Sequence, residues 1–174
     1  MAQYLIGNYA MPTTAAPTPV TTGTAIKTML QVKPSATAAC RIIGWGYSLD
    51  SSAASVSGKI ELIQTDVAAT VTAHTATGIV EYDSMALIGG DPTTNLIQVG
   101  TTATGFTATA EGTITDTHML TGPRFETTNT TFAVNWSEQF PLGREPRIQP
   151  ALFARIRVTF ATAVNMYCWM IVEI

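Results

Sequence analysis

A chain of 174 residues that is 46% hydrophobic and only 12% charged can build one well-cored domain, with roughly half the charge usual for a soluble one. Its net charge of −3, with six Arg and three Lys scattered singly, leaves no basic patch to neutralise phosphates, so nucleic acid is not an expected partner. No apolar run nears the ~20 residues that span a bilayer and no basic, apolar leader opens the chain. Synthesis in a cytoplasm, without a membrane partner, is the expectation.

Polarity comes instead from hydroxyls, since Thr is the commonest residue and Ala the next. Thr-rich, β-branched composition suits strands and loops. A surface so poor in charge resists association poorly, which points to burial in an assembly.

Residues 1–23 read as an extended arm. It starts with the apolar piece Tyr4-Leu5-Ile6, and Pro12, Pro17 and Pro19 then forbid a helix. Such an arm either stays disordered or straps a neighbouring subunit.

A β-sandwich domain is expected over 24–174. Ala25–Lys33 is its first strand and Ala39–Asp50 its second, where Ile43, Trp45, Tyr47 and Leu49 alternate with Gly44 and Gly46. The glycines bare the opposite face for a bulge or a close approach. Ser57–Thr65 follows, with Ile60 and Leu62 inward and Lys59 and Glu61 outward. From 66 to 112 the pattern weakens into a long irregular segment, interrupted by Ile79–Tyr82 and Asn95–Gly100, and this segment is a candidate contact region. Asp66 could cap a short helix there or continue an edge strand.

Strand character returns at Gly112–Leu120 and at Thr130–Ser137, where Phe132, Val134 and Trp136 share a face. The chain closes with a hairpin. In its first strand Leu152, Ala154, Ile156, Val158 and Phe160 share one face, and Phe153, Arg155, Arg157 and Thr159 the other. Its second strand is apolar on both faces: Met166, Cys168, Met170, Val172 and Ile174 on one side, Tyr167, Trp169 and Ile171 on the other. One face belongs to the core and the other needs further cover. Seven or eight strands without a long helix give an antiparallel sandwich, jelly-roll-like.

Chemistry-bearing patterns are sparse. His74 and His118 lack second ligands at metal spacing, the aspartates sit at turns, and there is no nucleophile elbow, phosphate loop or Cys-x-x-Cys. No cofactor and no enzymatic activity are expected. Cys40 and Cys168, each inside a strand-like run, read as buried free thiols, with a bridge the alternative. Arg155 and Arg157 are expected to pair with Glu61 or Glu173.

Arg41-Ile-Ile-Gly-Trp-Gly-Tyr-Ser-Leu-Asp-Ser-Ser52 and Ile60-Glu-Leu-Ile-Gln-Thr-Asp-Val-Ala-Ala-Thr-Val-Thr-Ala73 resemble a group of small virion proteins of tailed bacteriophages of actinobacteria and related prophages. Phe140-Pro-Leu-Gly-Arg-Glu145, Phe153–Thr159 and Asn165-Met-Tyr-Cys-Trp169 are similar too, so the likeness spans most of 25–174. It implies a jelly-roll head decoration (cement) protein, homotrimeric, seated on the outside of the capsid and touching the major capsid protein. It transfers no functional residue. Tyr4, Leu5 and Ile6 of the arm and Tyr167, Trp169 and Ile171 of the last strand are the expected subunit or capsid contacts. The alternative is a trimeric tail-fibre head that recognises a host glycan.

Overall fold

A computed structural model describes residues 3–10, 16–34, 38–50, 56–74, 78–81, 105–111, 117–119, 124–128 and 134–174. The described chain is all-β. Its strands are β1 (Gln3–Gly7), β2 (Val20–Thr21), β3 (Ile26–Val32), β4 (Cys40–Asp50), β5 (Val56–Thr65), β6 (Thr70–Thr72) and β7 (Ile79–Glu81). They continue with β8 (Phe106–Ala110), β9 (Thr117–Met119), β10 (Arg124–Thr128), β11 (Val134–Gln139), β12 (Arg147–Ile148), β13 (Phe153–Phe160) and β14 (Asn165–Glu173).

Every pairing between them is antiparallel. Sheet A has the order β11-β4-β14-β1-β7, with β12 added to β4 and β2 to β14. Sheet B has the order β10-β5-β13-β3, with β9 added to β5, and β6 and β8 form a separate ribbon. These fourteen segments exceed the seven or eight expected, because β2, β6 and β12 are only two or three residues long and β1, β8 and β10 only five, too short for alternation to mark them as strands.

The core lies between the two sheets, and period-two alternation selects it. Ile42, Trp45, Tyr47 and Leu49 of β4 and Met166, Cys168, Met170 and Val172 of β14 face Ile60 and Leu62 of β5 and Ala154, Ile156, Val158 and Phe160 of β13. The register of β4 against β14 slips at Ile171/Val172, where Ile43 is the extra residue, so Ile42 and Trp45 both reach the core. This answers which face of the last strand is internal. Met166, Cys168, Met170 and Val172 are all 0% exposed.

Three sequence expectations change. First, β13 and β14 are no hairpin, since they belong to different sheets and meet face to face. A strand with one apolar face and a strand with two gain more by stacking across the core than by pairing edge to edge. Buried Val164 marks the crossing, and its N–H donates to Thr22 Oγ1 at 3.1 Å.

Second, the arm belongs to the sheet. β1 lies between β14 and β7 and pairs with both, and it is the strand through which β7 joins sheet A. Asn8 then replaces a further strand residue: its Oδ1 accepts from Cys168 N–H at 2.9 Å and its own N–H donates to Cys168 O at 3.0 Å. Third, the weak 66–112 stretch holds β6, β7 and β8, while residues 82–104, with the expected strand Asn95–Gly100, lie outside the described residues.

Candidate functional site

The six residues expected at contacts divide cleanly by register. Tyr4 pairs with Val172 and Ile6 with Met170, on the inner face. Ile6 is fully buried in the core, and Tyr4, partly buried, packs against it. Their side chains point inward because β1 continues the alternation of its neighbour β14. Leu5 pairs with Ile171 and Gly7 with Trp169, on the outer face of sheet A. Leu5, Tyr167, Trp169 and Ile171 are therefore brought together there, each half-buried.

Two parts of this outer face differ. Around Tyr167 the chain covers itself: the phenol donates to Pro17 O at 2.6 Å, and Tyr9 meets the ring edge-on with centroids 5.3 Å apart. Burial, with Cys168 and Tyr167 adjacent, holds the Tyr9 phenol above its usual pKa. The arm thus straps its own subunit. Beyond Tyr167 the face opens into a groove of about 370 Å³.

The groove is a product of the glycines. Gly44 and Gly46 pair with Ile171 and Trp169 on one side and with Gln139 and Ser137 on the other. With no side chains at Gly44 and Gly46, β11 and β14 become two banks about 10 Å apart, one strand spacing to either side of β4. Ser137 and Gln139 form one bank and Trp169 and Ile171 the other, with Gln3 and Ile43 also lining the groove. Neither glycine can be replaced freely. A Cβ on Gly46 would stand 2.4 Å from Trp169 Cζ2, so the indole lies against bare backbone, and one on Gly44 would stand 2.9 Å from Glu138 O.

The glycines and Trp169 were legible in the sequence. Gln3, Ser137 and Gln139 were missed, although the polar positions alternating with Val134 and Trp136 carried the signal for the last two.

The outer face of sheet B is built in another way. Arg157 Nη2 pairs with Glu61 Oε2 at 3.1 Å and Lys59 Nζ with Glu61 Oε1 at 2.6 Å. Arg155, 0% exposed, pairs with Glu111 and not with Glu61 or Glu173, and its Nη2 also donates to Thr28 Oγ1 at 2.6 Å. Glu111 closes the circuit by accepting from the Thr28 hydroxyl at 2.7 Å. The β6–β8 ribbon seals this face. Gly105 exchanges both backbone hydrogen bonds with Gln31, and the Gln31 carboxamide exchanges two with Ala69.

His74 lies beside the ribbon, its ring edge-on to Phe106, and burial pulls its pKa down to about 4. Position 116 and the side chain of His118 lie outside the described residues.

Among the described residues no group of three or more His, Cys, Asp or Glu converges as metal ligands would. Cys40 and Cys168 are free and buried, and burial pushes the Cys40 thiol up to about 12 and the Cys168 thiol well above its usual value. These are inert packing groups. The groove offers the Trp169 ring, Ile43 and Ile171, the amides of Gln3 and Gln139, the Ser137 hydroxyl and one acidic residue, Glu138, an arrangement suited to non-covalent contact. Comparison of the chain with protein-family models, with curated proteins and with solved structures finds no match.

Proposed function

We propose that this protein is a structural component of a tailed-phage head: a capsid decoration (cement) protein that binds the outside of the lattice as a homotrimer, touches the major capsid protein and stabilises the shell. The observation that carries the reading is the outer face of sheet A, where Leu5, Trp169 and Ile171 stay half-exposed beside an open groove. Sparse charge supports it, because a face with few ions is cheap to take out of water. The residue-level resemblance to phage virion proteins supplies the location. The mechanism is mechanical, with apolar area buried at contacts stabilising the lattice at about 25 cal/mol per Å² before ordering costs.

Two measurements test this. Light scattering on the isolated chain is expected to give a trimer. Particles coated with the protein are expected to melt at a higher temperature than stripped ones, and equal melting would sink the role as cement. Cryo-electron microscopy of the parent particle separates head from tail, since density at the tail tip would transfer the chain to the fibre reading.

A further inference from the structure

His74 stands where three parts of the fold meet. It follows β6, the first strand of the ribbon, and its ring lies edge-on to Phe106 of β8 with centroids 5.6 Å apart. On its other side is the backbone at Gly78, just before β7. A Cβ placed there would stand 3.4 Å from His74 Nδ1, 3.4 Å from Gly7 O and 3.5 Å from Tyr9 O. Gly7 N–H donates to Gly78 O at 3.0 Å, so the arm, the start of β7 and the imidazole pack into one junction. The ring thus joins the ribbon to the edge of sheet A, a connection that no strand pairing among the described residues makes.

Both ring nitrogens of His74 are buried, and neither has a hydrogen-bond partner among the described residues. A neutral imidazole carries one N–H and one lone pair, and leaving both unpaired in an interior is costly. The protonated ring would bring two N–H donors and a charge with nothing to receive them, a far larger penalty. Of the groups around it, Phe106 and Gly78 do not titrate, and the Tyr9 phenol, held above its usual pKa, stays neutral in acid. Burial alone draws the His74 pKa down, with no carboxylate or ammonium group contributing among the described residues. A proton on this ring is therefore stabilised by admitting water, and water enters only if the junction parts.

We propose that His74 is an acid-operated catch: its protonation parts the ribbon from the arm side of sheet A, so that 105–111 and β1 with β7 loosen together while β13 and β14 stay folded. At neutral pH the Gln31–Gly105 backbone pair and the Arg155–Glu111 contact hold the ribbon down. The core between β13 and β14 takes up no proton in acid, because the side chains that meet there are apolar or, at Cys168, already protonated.

The test is hydrogen exchange read by mass spectrometry at pH 7, 6 and 5, corrected for the intrinsic rate, on the unchanged protein, His74→Phe and His118→Gln. The open junction takes up its proton near 6.5 and the closed one near 4. Protection of 3–8 and of 105–111 is therefore expected to fall about twentyfold from pH 7 to pH 5, with about sevenfold of it below pH 6, above the ordinary carboxylate range. The same fall is expected in His118→Gln and none in His74→Phe, which keeps a ring but no titrating nitrogen. Equal protection at pH 7 and 5 overturns the proposal. So does a fall that survives in His74→Phe, that spares 3–8, or that β13 and β14 share. Should His74→Phe fail to fold, His118→Gln decides, because His74 is then the only histidine and its ring proton can be titrated by NMR. Ring protonation that tracks the loss of protection upholds the catch, and ring protonation that does not track it overturns the catch.

Discussion

The two outer faces of this sandwich solve the same problem in opposite ways. Sheet B carries Lys59, Glu61, Arg155 and Arg157, and its ions find partners within the chain. The β6–β8 ribbon is laid over the β3 side, where Glu111 meets the buried Arg155. Sheet A carries Gly44, Gly46, Trp169 and Ile171 on the corresponding side, with Glu138 lining the groove and no ribbon over it among the described residues. The difference is one of desolvation. Once Arg155 is buried its partner must be permanent, so the face is finished intramolecularly. A neutral face can be covered and uncovered by another chain without that cost. Sheet A's outer face keeps its Arg41–Glu173 pair partly exposed, so the two faces differ in how deeply charge is buried and not in whether it is present.

The sharpest way to break this contrast is Glu111→Ala. Arg155 would remain 0% exposed with only the Thr28 hydroxyl as an acceptor, and an uncompensated buried charge costs about 3–5 kcal/mol. A urea midpoint shift matching less than about 1 kcal/mol would mean that the ribbon is no latch. Next comes Met170→Ala, on the inner face of β14, expected to cost about 2–5 kcal/mol as a core cavity. Trp169→Glu, one residue along on the outer face, is expected to leave a folded subunit and, on the proposed trimer, to dissociate it. Unfolding by Trp169→Glu would make both faces core.

A smaller effect separates the faces by pH. His74 is buried neutral with a pKa near 4, whereas the unfolded chain takes up its proton near 6.5. Protons therefore bind the unfolded state first. The contribution of His74 to stability is constant above pH 6.5, falls as pH drops towards 4 and levels out below, by at most about 3 kcal/mol. Subtracting the urea midpoints of His74→Leu from those of the unchanged protein at pH 7, 5 and 4 isolates this slope. Equal slopes would place His74 in solvent. Hydrogen exchange at 105–111 is expected to rise in acid before that of β13 and β14, because the ribbon is where His74 packs on Phe106.

Legibility followed the same division. Strands with strict alternation were read to within a residue or two, β3, β4, β5, β13 and β14 among them, because one buried face imposes a period of two. The inward set of β13 came out for the same reason, as did Glu61 as the partner of Arg157. What failed was long-range. A turn after Phe160 looks alike in sequence whether the chain pairs back or crosses to the other sheet, so the hairpin was misread. Tyr4-Leu5-Ile6 is too short for its period to say that Tyr4 and Ile6 face inward. Glu111 lies 44 residues from Arg155, and no local pattern joins them. At the site, the bare stretch of β4 was visible at Gly44 and Gly46, but the bank on β11 depended on strand order.

The smallest expected effect compares the two faces of one strand without destabilising it. Cys168 is 0% exposed on the inner face of β14, while its neighbour Trp169 is half-exposed on the outer one. With the Cys168 thiol held far above its usual pKa and Cys40 held near 12, almost no thiolate exists at pH 8, and the reagent has no path to either sulfur. A disulfide reagent at pH 8 is therefore expected to label neither cysteine in the native protein and both in urea, while acrylamide quenches part of the native tryptophan emission. Since Trp45 is 1% exposed and Trp136 is only partly so, that quenched share should fall to the part owed to Trp136 in Trp169→Phe. It should also shrink as protein concentration rises, because assembly covers the groove but leaves the thiols as they were. Rapid labelling of Cys168 at any concentration would show the inner face opening by itself, and the line between a finished core and an unfinished surface would have to be redrawn through β14.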